Sequence, residues 1–284
     1  MLSILIPSYD YNTVTLIKQL HRQCNSCNIN FEILVYDDGS KSHHNILNTT
    51  INDLTNCVFK ELPNNIGRSQ IRNKLAHDAK FNHLLFLDCD VLPKDDGFIK
   101  NYLNYLSSDI VYGGITNDTT TPKKPYKLRW LYTKKREQNA MCSSNFFIKK
   151  NIMMLNLFDE SIQKYGYEDV IFFKNLENNN IKITPIKNPA IHFGNEKSKI
   201  YIQKIETSLE NLSLLLSKGK ITKKESKIYF YYLILSKLYL INFISFCFKA
   251  TKKLMLTNFN SSFPSLFLFD FYRLGFFCTI KSKE

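Results

Sequence analysis

Residues His83-Leu84-Leu85-Phe86-Leu87-Asp88-Cys89-Asp90 run from an unbroken apolar stretch into two carboxylates with one residue between them. A run this short and this uniformly apolar fits a strand buried on both faces, as in an inner strand of a helix-covered parallel sheet. Ionised carboxylates do not stay unpaired in such an interior, so Asp88 and Asp90 must sit at its mouth. In open strand-helix sheets, ligands bind outside the carboxyl ends of the strands. Two hard oxygen donors placed there suit a divalent cation that in turn holds a phosphate.

The first half of the chain alternates between the two periodicities that such a sheet needs. Ser3–Ile6 is apolar and β-branched, and the stretch from Thr13 to Gln23 puts Val14, Ile17 and Leu20 on one helical face. Phe31–Tyr36 and Cys57–Glu61 read as strands, with a helix expected over Asn45–Leu54 between them. Gly67–Lys80 reads as a helix with Ile71, Leu75 and Ala79 at i, i+4 and i+8, and the strand into Asp88 follows. This order predicts an α/β fold with a largely parallel, doubly wound sheet. Further on, the sequence predicts a helix over Gly97–Ser107, a strand over Asp109–Ile115 and a Thr/Pro/Lys-rich loop over Thr116–Lys127. A strand over Ser144–Lys149, a helix over Glu168–Asn178, a strand over Ile181–Ile186 and a helix over Ser198–Ser217 complete the series.

Charge divides the chain. Residues 1–217 hold 26 Lys/Arg against 22 Asp/Glu, whereas residues 218–284 hold 12 against 3 and carry 16 of the 39 aromatic residues. The shift sets an expected boundary near Lys218, between a domain at 1–217 and a basic, aromatic helical extension at 218–284. Ile228–Phe248 is nearly continuous apolar sequence, about long enough to span a bilayer core, but Lys237 lies near its middle. Asn242, Ser245, Lys249 and Lys252 recur at three- and four-residue steps as a polar stripe. Helices lying in the interface are therefore expected, with Lys223, Lys224, Lys227, Lys249, Lys252 and Lys253 toward anionic lipid. The competing expectation is a helical extension packed on the rest of the chain. Basic charge also serves nucleic acid, but these Phe and Tyr residues sit among Leu and Ile instead of alternating with Lys/Arg, so no nucleic-acid partner is expected. The opening Met1-Leu2-Ser3-Ile4-Leu5-Ile6-Pro7 has no basic n-region and reads as a strand, which sets a cytoplasmic expectation. Cys24 and Cys27 have no second pair at zinc spacing and are read as reduced thiols.

Four further segments carry polar residues that chemistry could use. Asp37-Asp38-Gly39-Ser40 closes the second strand, either as a tight turn or as a carboxylate site for a base N–H or a ribose hydroxyl. Arg68 and Arg72 lie four apart at the start of the third helix, either as a solvated basic face or as forked donors for a phosphate or base carbonyl. Glu168 and Asp169 follow Gly166-Tyr167. Acids in a first helical turn complement the helix dipole, and a carboxylate at an aqueous cleft can also take a proton from an attacking hydroxyl. His192 stands alone among apolar residues, where a core histidine is the default. Beside a carboxylate it would favour Mn²⁺ over the oxygen-loving Mg²⁺. An Asp-x-Asp strand end also looks like the nucleophile motif of haloacid-dehalogenase-type phosphohydrolases. The three preceding strands and the following Val91-Leu92-Pro93 argue against that.

In this order the segments resemble a family 2 glycosyltransferase of the GT-A fold, over roughly residues 1–217. Ser3-Ile4-Leu5-Ile6-Pro7-Ser8-Tyr9 is similar to the family's opening strand, and Asp37-Asp38-Gly39-Ser40 to its nucleotide-binding turn. Asn65-x-Gly67 with Arg72-Asn73 resembles its third-helix signature, Asp88-x-Asp90 its Asp-x-Asp motif, and Gly166-Tyr167-Glu168-Asp169 its Glu-Asp motif. The resemblance implies that Asp37 or Asp38 and Arg72 hold the uracil of a UDP-sugar, with Pro7, Ser8, Tyr9, Gly67 and Arg68 in the same nucleotide-sugar set. It implies that Asp88 touches the ribose or sugar, that Asp90 and His192 bind Mn²⁺ or Mg²⁺, and that Asp169, beside Glu168, is the general base. It further implies inversion at the anomeric carbon and a glycan or lipid-linked acceptor in cell-surface polysaccharide synthesis. That places the protein peripherally on the inner face of the cytoplasmic membrane. A Gln-x-x-Arg-Trp signature of processive members is missing, because Lys127-Leu128-Arg129-Trp130 precedes the Glu-Asp motif. Transfer of a single sugar is therefore expected.

Overall fold

The structure is a computed structural model that describes residues 1–117, 120–137, 141–193 and 196–282. The chain falls into two compact units. The first takes residues 1–118, 137–163 and 172–193, and the second takes 119–136, 164–171 and 194–284. The expected boundary near Lys218 is thus not where the packing divides the chain. Helix Ser198–Ser217 and two earlier stretches group with the extension.

In the first unit, strands β1 (Leu2–Ser8), β2 (Phe31–Asp37), β3 (Cys57–Glu61) and β4 (His83–Leu87) are mutually parallel. They are joined through α1 (Val14–Ser26), α2 (His44–Asn48) and α3 (Arg68–Asp78). The helix expected over Asn45–Leu54 is α2 followed by a 3₁₀ turn, Thr49–Asp53. Beyond β4 come β5 (Val91–Pro93), α4 (Phe98–Leu103), β6 (Ile110–Tyr112) and β7 (Ile115–Asn117). The single strand expected over Asp109–Ile115 is therefore divided at Gly113-Gly114, and its halves join different sheets. After α5 (Lys127–Tyr132) come β8 (Asn145–Lys149), α6 (Lys150–Leu155), α7 (Glu168–Asn178), β9 (Ile183–Pro185) and β10 (Ala190–His192). Residues 120–126 form the expected loop without helix or strand, and residues 118 and 119 of that loop lie outside the described residues.

The large sheet has the order β3-β2-β1-β4-β8-β6-β9, with β8 antiparallel to both neighbours. A small sheet, β5-β10-β7, completes the unit. The apolar run of β4 is explained by burial on both faces. Leu85 and Leu87 join Ile4, Ile6 and α1 on one side, while Leu84 and Phe86 join Leu5, α3 and Phe172 on the other. All four β4 residues are fully buried. The mixed α/β, mostly parallel sheet expected from the sequence is the fold observed.

The second unit is helical: α5, α8 (Ser198–Ser217), α9 (Lys227–Lys237), α10 (Ile241–Phe259) and α11 (Leu266–Lys281). Its core gathers Leu128, Tyr201, Ile202, Phe248, Met255, Phe259, Phe269 and Tyr272. Glu206 of α8 accepts hydrogen bonds from Tyr272 Oη at 2.6 Å and Lys252 Nζ at 2.9 Å. Lys252, expected to face lipid, is therefore turned onto α8. Ser245 of the expected polar stripe is likewise buried, 2.9 Å from Thr279 Oγ1. The apolar run Ile228–Phe248 is divided between α9 and α10, and no single helix among the described residues is long and apolar enough to cross a membrane.

Candidate active site

The parallel strands deliver Ser8, Asp37 and Asp88 to one edge of the large sheet. The antiparallel β8 adds its own beginning to that edge, since Leu87 pairs with Asn145. Ser144 is thereby brought to Asp88, whose N–H donates to the Ser144 carbonyl at 3.2 Å. Ser144 Oγ donates to Asp88 Oδ2 at 2.7 Å, and Arg72 Nη2 donates to Asp88 Oδ1 at 2.6 Å. With both oxygens held, Asp88 is fixed in place and is not presented as an open nucleophile, which weighs against the phosphohydrolase reading. Arg72 is buried, stacks over Phe158, and sends Nη1 to the Arg68 carbonyl at 3.2 Å. Arg72, the arginine expected at the uracil, orients Asp88, while Arg68 is exposed at the start of α3.

The Asp-Asp turn is likewise built into the protein. Asp37, fully buried, accepts hydrogen bonds from Ser40 N at 2.8 Å and Ser40 Oγ at 2.7 Å. Asp38 accepts from Ile66 N at 2.7 Å and Gly67 N at 2.9 Å. It anchors the loop before α3. Gly39 has a φ of +65°, and a Cβ there would lie 2.5 Å from the Asn64 carbonyl carbon, so only glycine fits. Ser8 is buried, Pro7 is half-buried, and Tyr9 presents its ring to solvent.

Asp90 lies just beyond Asp88 and before β5. The antiparallel pairing of β5 with β10 puts His192 opposite Val91, and His192 Nε2 comes 3.3 Å from Asp90 Oδ2. Metal–ligand bonds of about 2.0–2.2 Å place neighbouring donor atoms roughly 3 Å apart, so this spacing fits two ligands of one ion. One carboxylate oxygen with one imidazole nitrogen suits Mn²⁺. Cys89, between the two acids, is pushed up to about 12 by burial, then by Asp90 and Asp88, and stays a neutral thiol. Tyr11 is raised to about 12 by burial, then by Asp90 and Cys89.

Glu168 and Asp169 open α7 within the second unit. They follow two left-handed residues, Gly166 (φ +96°) and Tyr167 (φ +72°). A Cβ on Gly166 would meet Ser208 Oγ at 2.3 Å. Asn211 of α8, itself buried, donates from Nδ2 to the Gly166 carbonyl at 2.6 Å and the Lys164 carbonyl at 3.2 Å. Burial raises the Tyr167 phenol, which Arg273 partly offsets. Glu168 is buried, and Asp169 Oδ1 accepts from Val170 N at 2.8 Å.

The sequence reading missed Ser144, Tyr11 and Asn211. Ser144 carried a faint signal as the first residue of an expected strand, but only the reversed direction of β8 makes that position a site position. Tyr11 follows Tyr9 in the opening loop and could have been included with it. Nothing local marked Asn211.

Comparison with known proteins gives consistent results. The sequence profile "Glycosyl transferase family 2" matches residues 3–162. The chain is 30% identical over 110 residues to the chondroitin synthase of Escherichia coli. That match covers 38% of this chain and 16% of the relative, so the chain spans only a small part of that protein. Among solved structures, S. aureus TarS 1–349 in complex with UDP-GlcNAc matches with a TM-score of 0.53 at 14% identity, covering 99% of this chain and 91% of that one. The mannosyltransferase PcManGT of Pyrobaculum calidifontis, in complex with GDP-Man and Mn2+, matches with a TM-score of 0.52 at 14% identity. It covers 76% of this chain and 64% of the other. At these identities the structural likeness establishes the GT-A-like fold.

Proposed function

Since the chain belongs to glycosyl transferase family 2 and is a glycosyltransferase, we propose that it moves a single sugar from a nucleotide-diphosphate sugar, a UDP-sugar, to a hydroxyl of a glycan or lipid-linked acceptor in cell-surface polysaccharide synthesis. The observation that carries this reading is the pairing of Asp90 with His192 beside the fixed Asp88. The nucleotide sugars bound in the TarS and PcManGT structures support a donor of this class, and the Mn²⁺ of the latter supports a divalent cation.

The roles proposed for each group are those that the family resemblance implies, joined to its chemistry. Asp88, held by Arg72 and Ser144, accepts from a sugar or ribose hydroxyl at a defined position. Asp37 shapes the edge against the nucleotide, and the exposed ring of Tyr9 borders it. Asp90 and His192 would hold the ion, which when bound neutralises charge developing on the diphosphate. Asp169 takes the proton of the acceptor hydroxyl, whose oxygen forms the new bond to the anomeric carbon as the bond to the diphosphate oxygen breaks. Attack opposite the leaving group inverts that carbon. Proton removal of this kind is worth about 10²–10⁴ in rate. The basic, aromatic composition of residues 218–284 supports a cytoplasmic enzyme held peripherally on the inner face of the cytoplasmic membrane, near a lipid-linked acceptor.

A panel of nucleotide sugars tested by thermal shift with Mn²⁺ examines the reading. A UDP-sugar should raise the melting temperature, Asp90→Ala should abolish that rise, and Asp169→Asn should keep it while losing transfer. Absence of any shift with every nucleotide diphosphate would overturn the proposal.

A further inference from the structure

We propose that the elbow between α9 and α10 is the element that seats this protein on a bilayer, its apex entering the headgroup–acyl boundary of anionic lipid. The inference takes up the peripheral membrane placement proposed above and assigns it to a surface. The two helices meet at a bend of 119°. The connecting Leu238-Tyr239-Leu240 turns through Tyr239 at φ +58°. At this apex Tyr239 is 94% exposed and Leu238 59% exposed.

The apolar exposure continues along both limbs. Phe230, Tyr231 and Ile234 face outward from α9, and Phe243 and Phe246 face outward from α10. These are not the ragged edge of the core. The inward positions of the same helices, Ile228, Ser245, Phe248 and Met255, are already buried. Exposed apolar side chains concentrated on two consecutive helices mark an interaction site. Large rings with a polar tip are the side chains that settle at a membrane interface.

Charge names the partner. Residues 226–269 contain five lysines and no Asp or Glu. Lys227, Lys237, Lys249 and Lys253 are exposed on the limbs that carry the rings, whereas Lys252 is withdrawn to Glu206. Cationic side chains around an apolar face match an anionic bilayer, where their stems reach along the acyl boundary and their ammonium groups meet phosphate. The bend and the lysines suit helices lying in the interface, and among the described residues no single helix is long and apolar enough to cross.

The test is flotation of the full chain with vesicles of phosphatidylcholine alone and of phosphatidylcholine mixed with phosphatidylglycerol. The wild type should float with the mixed vesicles and not with the neutral ones. The triple variant Tyr239→Ser/Phe243→Ser/Phe246→Ser alters exposed positions only, so it should keep the wild-type circular dichroism and melting temperature. Its partitioning should fall by at least about tenfold. Lys237→Glu/Lys249→Glu should weaken binding to the mixed vesicles alone, in a salt-dependent way. Equal flotation of the wild type and the triple variant would overturn the proposal, as would failure of the wild type to float. Concentration-dependent dimers that the triple variant abolishes, without lipid binding, would assign the face to a second copy and also overturn it. None of these readouts needs a sugar donor, so loss of the transferase reading would leave this result standing.

Discussion

His192 Nε2 stands 3.3 Å from Asp90 Oδ2 because the short β5–β10 ladder sets the histidine opposite the residue after the aspartate. The pair is a nitrogen–oxygen donor set fixed by backbone pairing, not by loop chance. Asp90→Ala should eliminate Mn²⁺-dependent stabilisation by UDP. His192→Ala should weaken Mn²⁺ binding at least about tenfold, read by calorimetric titration in the presence of UDP. Unchanged affinity in the histidine variant would remove the imidazole from the donor set.

Arg72 and Asp88 form an ion pair whose side chains are only 3% and 24% exposed. Arg72→Ala would strand a largely desolvated carboxylate, and the expected loss is on the order of 3 kcal/mol in chemical denaturation. Adding Asp88→Asn should recover part of that loss, because the uncompensated charge is gone. A double-mutant cycle with no coupling would show that the contact is energetically idle.

Asn211 holds the turn before Glu168 and Asp169 through two backbone carbonyls. Asn211→Leu keeps the branched shape and removes both hydrogen bonds. Turnover is expected to fall about 10- to 100-fold through misplacement of the motif, with the Kd for UDP unchanged. Parallel loss of donor binding would instead indicate general unfolding.

Tyr11 ionises at about 12 in the fold, against an ordinary 10.0, chiefly through burial and then through Asp90. The fold therefore keeps a proton that the unfolded chain releases. This stability contribution is complete below pH 10 and is lost as pH rises from about 10 to about 12. Phenolate absorbance, taken as the difference from Tyr11→Phe, should show the raised ionisation. Asp90→Asn should lower it without restoring the ordinary value.

Much of the fold was legible because it rests on periodicity. The unbroken apolar run of β4 and the i, i+4, i+8 spacing in α3 report burial directly, and both elements appear where expected. The short strands β5, β7 and β10 were not legible. Three residues carry no period, and their pairing is a tertiary event. The Asp90–His192 proximity depends on β5 and β10, so the sequence could offer His192 only through a family resemblance. The internal partners of Arg72 and Asp38 were not legible for a similar reason. A polar side chain near a site looks the same in sequence whether it faces a ligand or a neighbouring backbone amide. The tail was read correctly as helical and basic. Which of its lysines point outward depended on Glu206, a partner in a different helix.

The compact unit that holds the Glu168–Asp169 turn is assembled from three separate stretches of chain, 119–136, 164–171 and 194–284. A recombination event with one crossover near Lys218 would exchange α9–α11 but leave behind α8, whose Glu206 binds Tyr272 and Lys252 and whose Asn211 binds Gly166. Such a hybrid would inherit mismatched halves of one packing unit. Exchange of this unit between relatives, by evolution or in the laboratory, would therefore need three coordinated grafts.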